Sequence, residues 1–94
     1  MAAGETVSIV HGKDSFSHTD ACRIFDLAVR TRGAKTVVID LKQASSATTS
    51  AFAKLVLLRR TLLNQGRDLL LVGLRDRTAT VYHINRLNLV LPEL

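Results

Sequence analysis

VVIDLKQASSATTSAFAKL, residues 37–55, decides the fold. It begins as an apolar, β-branched strand ending in Asp40-Leu41. It then passes through Ser45-Ser46-Ala47-Thr48-Thr49-Ser50 and runs on into an amphipathic helix. Five of those six residues carry a hydroxyl. They fall where a parallel strand delivers the chain to a helix N-terminus, whose first N–H groups are unpaired and whose dipole favours negative charge. Such a cluster caps the helix through a side-chain oxygen, or holds a phosphorylatable switch. On the residues alone both readings stand.

Working outward, Thr36 to Leu41 is apolar on both faces, as expected of a central strand in a parallel sheet. A helix is predicted over about Thr49 to Gln65, with Phe52, Leu55, Val56, Leu62 and Leu63 as core positions and Gly66 past its end. Asp68 to Gly73 reads as another buried strand. Asp76 or Thr78 caps a shorter helix reaching about Arg86, and Leu89 to Leu91 reads as a last edge strand before Pro92. Upstream, Val7 to Val10 reads as a strand and His11 to Ser15 as a turn. A helix then runs from Ser17–Thr19 to about Arg32, burying Ala21, Phe25, Ala28 and Val29 with Ile24 beside them. The order β-α-β-α-β-α-β predicts an α/β fold: one small sheet of about four mostly parallel strands with about three helices.

Ninety-four residues suffice for a single domain, residues 1–94, with Met1 to Gly4 as a flexible start. The core must be aliphatic, because the only aromatic residues are Phe16, Phe25, Phe52 and Tyr82. One cysteine, Cys22, excludes an internal disulfide and a multi-cysteine metal site, which suits a reducing compartment. No apolar run reaches membrane-spanning length and no leader pattern opens the chain, so a cytoplasmic setting is expected. The net charge is +5, yet the 13 Lys and Arg are scattered, with Arg59-Arg60 the one adjacent basic pair. No stacking aromatics or nucleic-acid motif accompany them, so an acidic protein partner or anionic headgroups fit the bias better.

Few residues point to catalysis. His11, His18 and His83 are dispersed and suggest no metal site. The five glycines stand alone, without a phosphate cradle, so no cofactor is expected. Asp40, at a strand's C-terminal end, lacks a second acid or His at suggestive spacing and reads as a loop-capping group. Cys22 reads as a small packed hydrophobe, and Arg59-Arg60 as a solvated helix face. The chain is expected not to be an enzyme.

The pattern Val38-Ile39-Asp40-Leu41, then Thr48-Thr49-Ser50-Ala51, then a Leu-rich helix with Arg59-Arg60, Gly66 and Leu70-Leu71-Val72-Gly73, resembles the STAS domain. That family is shared by anti-sigma-factor antagonists and by the cytoplasmic tails of sulfate-type anion transporters. The resemblance covers roughly Val7 to Leu91, and the spacing from Asp40 puts Thr49 on the position phosphorylated in switching members. The chain departs from the family at two places, with Thr48 where the family has Asp and Ala51 where it has Gly. The resemblance implies a partner-switching signal-transduction role in transcription regulation. Thr49 would be the phosphoacceptor and Ser50 the fallback, with Thr48, Ala51, Phe52 and Asp14 in the binding face. The partner it implies is a serine/threonine-kinase-like anti-sigma factor. The alternative is an accessory role in a membrane transporter, docked on the ATPase of a lipid-transport system or excised from an anion permease.

Overall fold

The computed structural model describes residues 5–94. The flexible start expected at Met1 to Gly4 lies outside them. The elements are β1 (Thr6–Val10), β2 (Ser15–Phe16), α1 (His18–Arg30), β3 (Thr36–Asp40), β4 (Ser46–Ala47), α2 (Thr49–Asn64), β5 (Asp68–Val72) and α3 (Asp76–Ile84), followed by a 3-10 turn at Leu87–Leu89. The fold is α/β, as the sequence order predicts.

A three-stranded parallel sheet has the order β1-β3-β5, in the register Ile9↔Ile39↔Leu71. β3 is central. Alternation sends Val37, Ile39, Leu69 and Leu71 into the core, where they meet Ala21, Ile24 and Ala28 of α1 and Ala51, Phe52, Leu55, Leu58 and Leu62 of α2. The opposite face, with Val38, Leu70 and Val72, is only half-buried.

Several details differ from the sequence reading. Leu58 takes a core position in α2, whereas Leu63 is 48% exposed and Val56 packs only at the margin. Leu55, Leu58 and Leu62 follow the i, i+3, i+7 spacing of one stripe, and Leu63 lies a further step round the helix. Leu89 to Leu91 forms no strand. Arg86 takes a left-handed conformation (φ 53°) and turns the chain, and Leu91 is buried with its carbonyl accepting from the Tyr82 hydroxyl at 2.5 Å. The edge of β5 is met farther on: Leu71 N–H donates to Pro92 O and Leu94 N–H to Leu71 O, each at 2.9 Å, around a parallel bridge at Glu93. Finally, Arg75 rather than Asp76 or Thr78 stands at the N-cap of α3 and makes no side-chain cap bond.

Arg67, just before β5, locks α1 to the sheet. It is 6% exposed, and its guanidinium donates to the carbonyls of Ala28, Thr31 and Ala34 and to Gln65 Oε1. Ala28 and Thr31 lie at the negative C-terminal end of α1; Ala28 O also accepts the Thr31 N–H at 3.2 Å, whereas Thr31 O depends on the guanidinium. Arg59, expected in solvent, instead pairs with Asp68 (2.8 Å) and donates to Val90 O (3.1 Å). It thereby ties α2 to β5 and the C-terminal segment, while Arg60 is exposed.

Candidate functional site

Two residues of β2 and two of β4 bring the openings of α1 and α2 side by side. They pair in parallel, Ser15↔Ser46 and Phe16↔Ala47, and Thr48 N–H donates to Phe16 O at 3.1 Å. The residue after each short strand is a helix N-cap: Ser17 for α1 and Thr48 for α2. Beneath the platform Phe16 and Phe52 meet edge-on at 6.1 Å, and Phe52 packs on Tyr82. The loop before α2 is held from three sides. Asp14 accepts the Ser45 N–H on its carbonyl and the Ser45 hydroxyl on its carboxylate, each at 2.7 Å. Arg77 N–H donates to Ser45 O, and the Thr78 hydroxyl to Ala44 O at 2.9 Å.

The two openings differ electrostatically. At α1, Ser17 accepts from Asp20 N–H at 3.2 Å, and the Asp20 carboxylate accepts from Ser17 N–H at 3.0 Å, a complete capping box. The Ser17 backbone bond holds the Asp20 carboxyl far below its ordinary range against the opposing effect of burial, with Lys13 at 3.0 Å assisting. At α2, Thr48 Oγ1 accepts from Ala51 N–H at 3.1 Å, and no acidic residue occupies the first turn. The positive end of α2 is therefore left unneutralised, unlike that of α1.

Each sequence-predicted site residue can now be placed. Thr48, Thr49 and Ser50 are exposed at the opening of α2. Thr48 is committed to the cap and Ser50 Oγ lies 3.2 Å from Thr48 Oγ1. The Thr49 hydroxyl has no hydrogen-bond partner among the described residues. Asp14 is brought to the same platform through Ser45. The binding-face role that the resemblance implies for Ala51 and Phe52 is corrected: both are fully buried and offer a partner no side-chain surface, Phe52 filling the core position its helical period predicts. Asp40 stays a loop group, accepting from Lys42 N–H at 3.0 Å.

The sequence reading missed His18 and Cys22. On α1 they stand four residues apart, and the His18 ring spans to α2, with Nδ1 3.5 Å from Ser50 O and Nε2 3.4 Å from Cys22 Sγ. The carbonyl requires the proton on Nδ1, which leaves Nε2 to accept from the thiol. The i, i+4 spacing was the available signal, though nothing in the sequence said that α2 would open beside it. Cys22 is partly exposed rather than packed inside.

Compared with known proteins, the chain matches no protein-family model, and no curated protein matches it either.

Proposed function

We propose that this chain is a non-enzymatic interaction domain of the anti-sigma-antagonist type, which offers the opening of α2 to a serine/threonine-kinase-like regulator in the cytoplasm. Phosphorylation of Thr49 sets its affinity, and Ser50 is the second acceptor. The observation that carries this reading is the Thr49 hydroxyl, exposed and unbonded between two neighbours whose hydroxyls are engaged with each other or with the helix cap. A phosphate there adds nearly two negative charges, three oxygens and considerable bulk. The uncompensated N-terminus of α2 tolerates that charge, so the domain stays folded, while a partner surface shaped to the bare hydroxyls is repelled. ATP is then the kinase's substrate, and the domain needs no cofactor of its own.

A second reading, an accessory protein on a transporter ATPase, draws support from Thr48. A hydroxyl caps α2 where the resembling family carries a carboxylate, so the site keeps its cap without the acidic group of the switching members.

Site mapping by mass spectrometry on protein from its native cell, beside a Thr49→Ala variant, tests the proposal. A stoichiometric phosphorylated fraction that disappears in the variant sustains the switch. No phosphate under any growth condition sinks it and leaves the accessory role.

A further inference from the structure

β1 forms one edge of the three-stranded sheet. Its bonds to β3 determine which of its peptide groups are free. His11 N–H donates to Asp40 O at 3.0 Å, and Glu5 O accepts from Lys35 N–H at 2.9 Å. A parallel ladder uses alternate residues. Residues 5, 7, 9 and 11 therefore turn their peptide groups toward β3, whereas Thr6, Ser8 and Val10 turn theirs outward. All three are exposed, Val10 by 57%. Edge strands are commonly blunted by proline, a bulge or charge, but the sequence TVSIV carries no proline or charge and pairs with β3 in unbroken register.

Beside this row lies an open cavity of about 220 Å³ between the end of β1 and α1. Its wall includes Ile9, Val10, Ile24 and Leu27, and its polar lining is His11, Arg23 and the Lys13–Asp20 ion pair, so Arg23 is the one cation there without a carboxylate partner among the described residues. Leu27 is 49% exposed on the outer flank of α1. Arg23 and Arg30, four residues before it and three after, share its stripe. Among the described residues neither arginine is ion-paired. A ladder without a partner strand among the described residues, an apolar socket and cations without a carboxylate among them are the elements of recognition by strand addition.

We infer that the β1 edge is a docking site for an extended acidic segment of a partner protein, which adds as a strand beside β1, seats apolar side chains against Ile24 and Leu27, and turns its carboxylates toward Arg23 and Arg30. The charge selects this occupant over a second copy of the chain. Two-fold pairing of β1 with itself would set two α1 flanks together, arginine against arginine. This site is independent of the α2 opening. His18, Cys22 and Phe25 face α2, with Lys54 Nζ 4.4 Å from the Phe25 ring centroid, whereas Arg23 and Leu27 lie on the other flank of α1.

The test is an NMR titration of the 15N-labelled full chain with a ten-residue peptide of alternating Glu and Val, beside the same peptide with Lys for Glu. The expected result is saturable binding of the acidic peptide alone. Shifts should centre on Thr6, Ser8, Val10 and Leu27, and the affinity should weaken at least tenfold in Arg23→Glu/Arg30→Glu and in Ser8→Pro. The proline removes only an outward N–H, leaving the β1–β3 ladder whole. If Ser8→Pro fails to fold, the doubly charge-reversed variant, altered only at exposed positions, decides alone. No binding at millimolar peptide, equal binding of the Lys peptide, shifts confined to the α2 opening, or dimerisation through β1 would each overturn the inference. None of these outcomes bears on phosphate at Thr49.

Discussion

Replacing Arg67 by Met should be the most damaging change of a polar side chain in this protein. Met keeps most of the aliphatic stem but none of the donors. The backbone carbonyls of Thr31 and Ala34 then lose their donor, the Ala34 bond being 2.6 Å, whereas Ala28 O loses a 3.1 Å bond but keeps the Thr31 N–H at 3.2 Å. Leaving a buried acceptor unsatisfied costs about 1–3 kcal/mol. Removing the guanidinium also removes its own desolvation cost, which offsets part of the loss. The net expectation is a loss of about 2–4 kcal/mol, a large share of the roughly 5–15 kcal/mol that holds a domain folded. For a chain of this size it lowers Tm by at least about 8 °C. Urea unfolding followed by circular dichroism measures it, with Arg75→Met as the control. Arg75 also donates to backbone carbonyls, those of Lys42 and Gln43, but its side chain is 46% exposed, so water replaces it and the loss should stay below about 1 kcal/mol. A loss under about 1 kcal/mol for Arg67→Met would refute the reasoning, because it would mean water reaches those carbonyls once the guanidinium is gone.

Three further outcomes are expected. Thr48→Ala removes the only side-chain cap of α2 and should cost about 1 kcal/mol in urea unfolding. Thr49→Ala, by contrast, removes no bond and should be nearly neutral, which makes it a clean probe of phosphorylation. Gly73→Ala places a Cβ 2.6 Å from Lys42 Cβ and 2.9 Å from Lys42 N at φ 78°, so it should cost about 2–5 kcal/mol. Gly66→Ala, at φ 72° with nothing near, should cost only about 1–2 kcal/mol, and equal Tm losses would contradict this account. Asp20 has its native pKa depressed, so its contribution is complete above the ordinary carboxylate value and disappears as pH falls through and below it. Wild-type stability should therefore drop more steeply below about pH 4 than that of Asp20→Asn, and parallel acid titration curves would count against it.

The main strands and helices were legible because each is long enough to show a period, and because Thr36 to Asp40 and Asp68 to Val72 are dense in β-branched or leucine residues. β2 and β4 were not. Two residues cannot display an alternation, and their pairing is fixed by groups remote in sequence, such as the Asp14–Ser45 bonds across 31 positions. The end of the chain was misread for a related reason. Pro92 suggests a terminator, but in the fold its carbonyl accepts from Leu71 N–H, a role that needs no N–H of its own. Arg59 looked like solvated charge because the sequence places it on a helix without showing Asp68 beside it, and Arg67 drew no attention because nothing in the sequence shows the end of α1 against it. At the candidate site the hydroxyls of 48 to 50 were correctly expected at the surface. Phe52 was expected in the core from its helical period and lies there, but the resemblance also put it and Ala51 in the binding face, since adjacency in a motif says nothing about which side of the first turn faces the core.

The short ribbon explains why a site built on loops can hold a definite shape. Residues 42–47 lie outside the regular packing of the sheet, yet Ser45 is bonded to Asp14 and to the backbone of Arg77, and Ala44 to Thr78. Segments from before α1, before α2 and at the start of α3 thus converge on one short loop. Thr78 is fully buried and Tyr82, one turn further along α3, packs against Phe52, so the loop is anchored to the same aromatic cluster that underlies the paired caps. An anchored foundation under an exposed hydroxyl is what the proposed switch would need: a phosphate on Thr49 would break no bond among the described residues, and its effect would fall on whatever binds there.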